Sequence, residues 1–525
     1  MWLSRLGGLW PWVSLLVAPL AGAQCPPYQN HAANLHEPFS TGRWNLSYAR
    51  PIEECRTFHS PEVEETIARL QNVIKDPDLF RLFENTWPST LDTTIAWRGL
   101  SNTSNSIELE GRQMSLKPEE LTFVITGDIE AMWLRDSANQ LQAYVSVLKA
   151  NASHDSLASL FRGAINLQAR YILGDPFCNA FQAPDESGLY QHNSQNSDTI
   201  MPPYDYYRVF SCQWELDSVA SFLQLSADYV RATDDYEFFK QSSNWAKAVE
   251  LVLNTTDSMM IGSYADDGSW QHTPYTYCAP YGGTPINNCN GSPHRGHIGL
   301  VRSFHRPSDD ACTYQYLIPS NMMYATALNA SATIMAQTDS APLATRMREL
   351  SVSINRGIEQ HAVVHDATHG KIYAYEIDGY GSANIMDDPN VPSLLSAPWL
   401  AYTTPQSTIY KNTRNKLLSR DNAYYAVGPA ITGIASPHTL PGNPWPMALI
   451  MTILTSDDDA EITQNLRWLL QSTDGLGLMH ESVSARSVST WSRQWFSWAN
   501  GMFGQMILDL EKRKPHLLRV SFQEK

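Results

Sequence analysis

The feature that most constrains the fold of this chain is a long series of segments with the periodicity of amphipathic α-helices. In each segment apolar residues recur at a spacing of three and four, which is typical of a helix that buries one face. Alternating segments, which would indicate strands, are scarce, and the exception is a short stretch at 372–375 that predicts a small β-hairpin. The predicted helices cover approximately residues 61–76, 137–149, 156–173, 214–232, 235–254, 319–337, 341–360, 443–454, 458–472 and 495–513.

No linker interrupts this series: the sequence contains no Gly/Ser tract, proline-rich spacer or charge block. We therefore predict one all-α domain over residues 24–525, a toroid of helical hairpins whose loops gather over one face, where a pocket can form. Two connections, at about 175–210 and 263–319, are longer than ordinary turns and contain several aromatic residues. Loops of this length are usually functional or disordered, and their aromatic content argues against disorder.

The first 23 residues have the layout of a secretory signal peptide. Arg5 precedes an apolar run that ends at Leu20, and small residues follow up to Ala23. The run is short for a membrane anchor and contains two prolines. We expect a secreted or secretory-pathway protein, cleaved near Ala23, without stable membrane association. Sequons for N-glycosylation, as expected for a glycoprotein, begin at Asn45, Asn102, Asn151, Asn254, Asn290 and Asn329.

Seven cysteines follow this segment, so an oxidising compartment would leave at least one of them unpaired. No C-x-x-C motif occurs, which disfavours zinc-ribbon or thioredoxin chemistry. Six cysteines allow 15 connectivities, and spacing does not choose among them. The disulfides we predict, with Cys312 left buried and reduced, are Cys25–Cys55, Cys178–Cys212 and Cys278–Cys289.

Charge and composition narrow the class of ligand. The formal net charge of −16, without a basic run to offset it, argues against binding of nucleic acid or anionic membranes. The 16 Trp and 24 Tyr, together with many carboxylates, fit either a large aromatic-rich core, which composition alone favours, or a neutral ligand covered in hydroxyl groups, such as a sugar. The sequence has no G-x-S-x-G elbow, phosphate loop or H-E-x-x-H zinc motif, which sets these chemistries aside, and we expect no cofactor.

Acidic segments flanked by aromatic residues remain as candidates for the chemistry. In Gly127–Ser137, carboxylates, an arginine and a tryptophan crowd one turn before a helix, where they could grip sugar hydroxyls or simply cap the helix. In Trp214–Ser218, Glu215 and Asp217 are two residues apart on a helix, so only one of them should face a pocket. Further candidates are Arg306–Asp310, His480–Ser482 and Arg493–Asn500, and each of these segments alone is more often structural.

Taken together, four segments closely resemble glycoside hydrolase family 125, and the likeness covers about residues 55–512. These segments read T-G-D-I-E-A-M-W-L-R-D-S, R-P-S-D-D-A-C-T-Y, M-D-D-P-N-V-P-S-L-L and H-E-S…R-Q-W-F-S-W-A-N-G-M-F-G. The resemblance implies a metal-independent, inverting exo-α-1,6-mannosidase on an (α/α)6 barrel, acting on a mannose-containing glycan. One departure is Gln505, where the family often has Glu.

By the same resemblance, Asp217 corresponds to the general acid and Glu481 to the general base, with Glu215 as the alternative acid. Inversion requires these carboxyl groups to lie roughly 6.5–9.5 Å apart, and we expect Asp217 to be the less solvated of the two. The residues expected to hold the terminal mannose are Asp128, Trp133, Arg135, Asp136, Arg306, Asp309, Asp310, His480, Arg493 and Trp495.

Three other functions fit parts of this pattern. A glucoamylase-like toroidal glycosidase would share the fold and the carboxylates but act on another sugar. A secreted carbohydrate-binding protein without catalysis would have no need to keep both carboxylates. A calcium-dependent mannosidase would lose activity with a chelator. In each case we expect a monomer.

Overall fold

The computed structural model describes residues 25–101, 106–109, 112–115, 118–191, 198–278, 289–338 and 340–524. The predicted signal peptide and the sequon at Asn102 lie outside these ranges. The helices within them are α1 (Tyr28–Ala32), α2 (Pro61–Leu70), α3 (Pro77–Thr86), α4 (Ser89–Thr93), α5 (Leu134–Gln142), α6 (Leu157–Gly174), α7 (Leu216–Thr233), α8 (Tyr236–Gln241), α9 (Ser243–Ser258), α10 (Ile318–Met335), α11 (Ala341–His361), α12 (Thr408–Leu417), α13 (Pro446–Leu454), α14 (Asp459–Gln471) and α15 (Ser497–Arg513).

The helices form a ring of hairpins, as the sequence predicts. The inner neighbours α13, α15, α5, α7 and α10 pack against one another in that order. Outer helices pack behind them: α11 against α10, α14 against α13, and α3 against α15. Between α11 and α12 the chain passes through residues 393–402, which form turns without a helix. One hydrophobic core runs from Ala32 to Phe522.

Local sequence signals explain where several helices begin. Proline occupies the first turn of α2, α3, α10, α11 and α13, where its missing N–H costs no hydrogen bond. Ser156 caps α6 by accepting a hydrogen bond from Ser159 N at 3.2 Å. The predicted helix 235–254 is interrupted at Ser242, so it forms α8 and α9 instead of one helix. Its apolar periodicity continues across the break, which is why the sequence did not reveal it.

The structure contains many more strands than the sequence predicted. Strands of two to six residues are too short to show alternation, and only the hairpin β11–β12, which pairs Val364 with Ile372, was foreseen. The strands are β1 (Ile95–Leu100), β2 (Ser106–Leu109), β3 (Arg112–Ser115), β4 (Glu120–Val124), β5 (Met132–Trp133), β6 (Ala180–Phe181), β7 (Thr199–Met201), β8 (Val209–Ser211), β9 (Thr276–Cys278), β10 (Tyr316–Leu317), β11 (Val363–Asp366), β12 (Gly370–Tyr373), β13 (Glu376–Ile377), β14 (Ala383–Asn384), β15 (Tyr425–Ala426), β16 (Gly433–Ile434), β17 (Ser482–Ser484) and β18 (Ser487–Ser492).

These strands lie mainly in the connections and tie the loops to the helical ring. Small antiparallel sheets join β5 to β6 and β8, β10 to β13 and β14, and β17 to β18. The two long connections pair with each other through β7 and β9. All three predicted disulfides are confirmed, and Cys312 is buried and free. Across the described ranges, none of the helices has the length and apolar character needed to cross a bilayer.

Helix α15 approaches Trp87 so closely that residue 504 must be glycine. A Cβ at Gly504 would lie 2.3 Å from Cδ1 of the fully buried Trp87, whereas a Cβ at Gly501 would meet no atom closer than 3.4 Å. We expect Gly504→Ala to lower the free energy of unfolding by about 1–3 kcal/mol through overpacking. The matched control Gly501→Ala should raise it by up to about 1 kcal/mol, because alanine favours the helix. Denaturant titration followed by tryptophan fluorescence measures both, and equal effects would contradict this packing.

Candidate active site

Arg135 lies at the centre of the site, in the first turn of α5. Its Nη1 is 2.7 Å from Oε2 of Glu215 and 3.3 Å from Oδ2 of Asp217. Its Nη2 is 3.2 Å from Oδ2 of Asp136 and 3.5 Å from Oδ1 of Asp309. One buried guanidinium thus binds four carboxyl groups, and we call these five residues the Arg135 cluster.

The Arg135 cluster holds more acidic groups than one cation can neutralise. Burial raises the pKa of Asp136 to about 6, although Arg135 opposes this shift. Burial also raises the pKa of Asp217, and raises that of Glu215 well above its usual range, again against the effect of Arg135. Since like charges in one buried cluster repel, each of these three carboxyl groups holds its proton more tightly than a free carboxyl group does.

Neighbouring side chains fix the orientation of the buried carboxyl groups. The hydroxyl of Ser218 donates to Oε2 of Glu215 at 2.9 Å, and that of Ser320 donates to Oδ1 of Asp217 at 3.3 Å. The guanidinium of Arg135 also lies 5.5 Å from the ring centroid of Trp498, a favourable cation–π arrangement. The position of Arg135 is therefore set by three inner helices, α7, α10 and α15.

Glu481, a carboxylate outside the Arg135 cluster, is held by the hairpin β17–β18. The hydroxyl of Ser492 donates to Oε2 of Glu481 at 2.8 Å, and Nε of Arg493 lies 3.3 Å from Oε1. Arg493 has φ of 50°, a left-handed conformation that few residues other than glycine adopt. Its Nη1 is 3.2 Å from Oδ1 of Asp128, whose pKa is raised by burial. Arg493 therefore bridges Asp128 and Glu481.

Asp309 lies in a short loop, residues 306–310, within the long connection between β9 and β10. The loop is closed by two hydrogen bonds, from Arg306 N to Asp310 O at 2.7 Å and from Asp309 N to Arg306 O at 2.9 Å. Beneath it, Nε of the buried Arg306 is 2.6 Å from Oε1 of Glu376. Asp309 has φ of 68°, and its side chain remains 34% exposed. The loop thus presents Asp309 to solvent while Arg306 anchors it.

These elements line a cleft at the end of the ring where the inner helices begin. Its walls combine acidic side chains with aromatic rings, which is the chemistry of a carbohydrate site. Three carboxyl groups line it, from Asp136, Asp309 and Glu481. The lining residues are Thr126, Ile129, Trp133, Arg135, Asp136, Pro307, Ser308, Asp309, Asn390, His438, Trp445, Glu481, Arg493, Phe496 and Trp498.

Comparison with known proteins identifies the protein family. The model of the metal-independent α-mannosidases, glycoside hydrolase family 125, matches residues 76–508. The chain belongs to this family. It is therefore a glycoside hydrolase of the α-mannosidase type, built on an (α/α)6 toroid as the sequence predicted.

Two relatives illustrate the likeness. The chain is 43% identical over 500 residues to the meiotically up-regulated gene 157 protein of Schizosaccharomyces pombe, with 94% of each chain covered. It is 31% identical to a metal-independent α-mannosidase of Streptococcus pneumoniae, solved in a non-productive complex with α-1,6-mannobiose. That structure matches with a TM-score of 0.72 and covers 86% of this chain and 99% of its own.

The cleft of this α-mannosidase brings together only some of the residues proposed from the sequence. Asp128 and Asp310 lie one contact behind it: Asp128 binds Arg493, and Asp310 accepts from Nδ1 of His438 at 3.1 Å if that nitrogen carries the proton. The predicted residues that line the cleft directly are Trp133, Arg135, Asp136, Asp309, Glu481 and Arg493.

Other proposed residues support the cleft from behind without lining it. Arg306 is bound to Glu376, and Trp495 donates its Nε1 hydrogen to Oγ1 of Thr93 at 3.0 Å. His480 stacks on Trp491 at 4.2 Å, and its burial lowers its pKa to about 4, so the ring is neutral at pH 7. All three residues are buried.

Asp217 and Glu215 also lie behind the cleft, separated from it by Arg135. The side chains of both are fully buried, whereas that of Glu481 is 9% exposed. The expectation that Asp217 is less solvated than Glu481 is thus confirmed. Neither Asp217 nor Glu215 is among the residues that line the cleft, and both contact Arg135.

The sequence analysis did not assign several lining residues, among them Asn390 and His438. Asn390 lies in the M-D-D-P-N segment, where Oδ1 of Asp388 accepts hydrogen bonds from its backbone N at 3.2 Å and its Nδ2 at 2.9 Å. Oδ2 of Asp388 accepts from Ser436 at 2.9 Å, and Ser436 in turn accepts from the backbone N of His438. Asp388 therefore orients two walls of the cleft. The paired acids in this segment were the available signal.

The charge of Asp136 should cost stability at neutral pH. Its folded pKa of about 6 exceeds the ordinary 3.8, so the folded state binds the proton more tightly and stability falls as pH rises between these values. We expect Asp136→Asn to remove this pH dependence and to raise the free energy of unfolding at pH 7 by about 1–3 kcal/mol. Because Asp136 lines the cleft, mannosidase activity should fall at the same time.

Denaturant titrations between pH 4 and pH 8 measure this effect. The matched control is Asp458→Asn, at the exposed N-cap of α14, where asparagine caps equally well and the change should stay within about 0.5 kcal/mol. An Asp136→Asn protein that is less stable than the native one at pH 7 would contradict the uncompensated charge.

Proposed function

We propose that this α-mannosidase removes terminal α-1,6-linked mannose from glycans with inversion of anomeric configuration. The observation that carries the proposal is the cleft in which Asp136, Asp309 and Glu481 meet, backed by Arg135. Aromatic rings complete the walls and suit the C–H faces of a sugar. The α-1,6 linkage is supported by the pneumococcal relative, which was solved with α-1,6-mannobiose.

In this proposal Asp309 is the general acid. A general acid must reach the glycosidic oxygen, which lies where the terminal sugar meets the rest of the glycan, towards the mouth of the cleft. The side chain of Asp309 lines the cleft and is partly exposed, whereas Asp217 is fully buried behind Arg135. Asp217, the acid implied by the resemblance, remains the alternative that the experiment below separates.

Glu481 is the general base of the proposal. Ser492 and Arg493 fix its two carboxylate oxygens, and the group still lines the cleft, where it can accept a proton from water. An inverting reaction needs the acid and the base roughly 6.5–9.5 Å apart, so that this water fits beneath the sugar ring. Water then attacks the anomeric carbon as the glycosidic bond breaks, Glu481 takes the water proton, and the acid protonates the leaving oxygen.

The remaining lining residues bind the sugar. Arg135 and Asp136 close the inner end of the cleft and can hold adjacent hydroxyl groups of one ring. Because the buried Arg135 cluster lies behind them, the cleft accepts a chain end, which supports exo action.

We also propose that the protein acts in the secretory pathway or outside the cell. The three disulfides support this location, since such bonds persist in oxidising compartments. The sequons at Asn45, Asn151, Asn254 and Asn329 lie on exposed residues, where they are accessible for glycosylation.

Substitution of the three candidate carboxyl groups should separate their roles. We expect Asp309→Asn and Glu481→Gln each to lower kcat on α-1,6-mannobiose by about 10²–10⁴-fold. A substrate whose leaving group needs no proton, such as 2,4-dinitrophenyl α-mannoside, should restore the kcat of Asp309→Asn and leave Glu481→Gln inactive. Asp217→Asn should show the smaller loss on both substrates, because it acts only through Arg135. If this substrate restores the kcat of Asp217→Asn alone, Asp217 is the general acid instead.

The product of the native enzyme tests linkage and stereochemistry. Incubated with α-1,6-mannobiose in an NMR tube, the protein should release β-mannose first, before mutarotation, because an inverting enzyme exchanges the anomer. We expect much slower release from α-1,2- and α-1,3-mannobiose. Initial release of α-mannose would rule out inversion, and equal rates on all three disaccharides would rule out the linkage preference.

A further inference from the structure

A second cavity, with a volume of about 490 Å³, lies at the other end of the helical ring. The helices α5, α7, α10 and α15 begin near the cleft, and their later turns line this space. We call it the rear cavity. Its lining residues are Gln142, Ala143, Val145, Ser146, Gln224, Ala227, Asp228, Arg231, Thr326, Ala327, Ala330, Trp399, Leu400, Ala401, Gln505, Leu508, Asp509 and Lys512.

The rear cavity exists because the ring is incomplete on one side. Residues 393–402 follow α11 and precede α12, the place in the chain where an inner helix would be expected, but they form only turns. The turns end at Ala401, whose φ of 58° is left-handed, and they bring Trp399 into the cavity wall. A full inner helix at this position would fill part of the space that the turns leave open.

The wall of the rear cavity combines an aromatic ring with unused amide groups. The indole of Trp399 is partly exposed there. The side-chain amides of Gln224, on α7, and Gln505, on α15, have no hydrogen-bond partner among the residues that the structure describes. An aromatic face with free amide donors and acceptors beside it can recognise a sugar ring, whose C–H face stacks while its hydroxyl groups form hydrogen bonds.

The charges of the wall argue for a neutral ligand. Two acidic residues, Asp228 and Asp509, and two basic residues, Arg231 and Lys512, line the cavity, so its formal charge is zero. Nη2 of Arg231 is 2.6 Å from Oδ1 of the buried Asp228, whose Oδ2 accepts from Nε2 of Gln142 at 2.8 Å. Asp509 pairs with Arg513. Among the residues of the wall, these ion pairs leave the exposed Lys512 as the one basic side chain available to a phosphate or sulfate group.

We propose that the rear cavity is a second carbohydrate-binding site, which takes a neutral manno-oligosaccharide by stacking on Trp399 and by hydrogen bonds to Gln224 and Gln505. The choice of mannose rests on the proposed function, whereas the sugar-binding chemistry of the wall does not. A branched or long glycan held here would have its other ends at a raised effective concentration near the enzyme. The rear cavity would then retain glycans between successive cleavages in the cleft.

Isothermal titration of the full chain carrying Glu481→Gln with α-1,6-linked mannotetraose tests the proposal. We expect two oligosaccharides per chain, reduced to one by the additional substitution Trp399→Ala. Gln505→Ala should weaken the affinity of the rear cavity for the oligosaccharide about three- to tenfold. It removes no packed ring, so it replaces Trp399→Ala if that variant does not fold. The control Tyr380→Ala removes an exposed aromatic ring that does not line the rear cavity and should leave both sites intact.

The outcomes separate this proposal from the proposed function. In a native background, Trp399→Ala should leave kcat on a small aryl α-mannoside unchanged. One oligosaccharide per chain, insensitive to Trp399→Ala and Gln505→Ala, would overturn the rear site. A third result is one oligosaccharide per chain whose binding is abolished by Trp399→Ala and unaffected by Trp133→Ala. That result would support the rear cavity and count against mannose binding in the cleft.

Discussion

The active site depends on one buried guanidinium shared among four carboxyl groups. Arg135 contacts Glu215 and Asp217 with one nitrogen and Asp136 and Asp309 with the other. Burying such a set is costly unless the charges are paired, and here the acids outnumber the cation. Protons retained within the Arg135 cluster reduce that cost, which agrees with the raised pKa values of Asp136, Glu215 and Asp217.

This arrangement explains how a helical ring can hold a catalytic cleft in place. Helices α5, α7, α10 and α15 all contribute to the Arg135 cluster or to its immediate contacts, and the loop of Asp309 joins them from outside. The cleft therefore rests on inner helices and not on loops alone. The packing of the surrounding core offsets the cost of burying this uncompensated charge. The same charged groups allow the cleft to bind the hydroxyl groups of a sugar.

Periodicity predicted most of the helices because each buries a continuous face over several turns. It missed the short strands, which are fixed by partners far away in the chain, such as Thr199–Met201 with Thr276–Cys278. The residues of the cleft could be recognised as motifs, but not their orientation. Asp217 and Asp309 both stand in acidic segments of the sequence. Only the folded structure shows that Asp217 is buried and that Asp309 lines the cleft. No local pattern contains that information.

The central claim is that the terminal mannose binds against Arg135 and Asp136 while Asp309 reaches the bond to be cleaved. A crystal structure of the Asp309→Asn protein with intact α-1,6-mannobiose tests it most directly. The account predicts hydroxyl groups of the terminal ring bonded to Arg135 and Asp136, and the glycosidic oxygen about 2.6–3.2 Å from the side chain of residue 309. A glycosidic oxygen placed beside Asp217, with Arg135 displaced, would contradict the account.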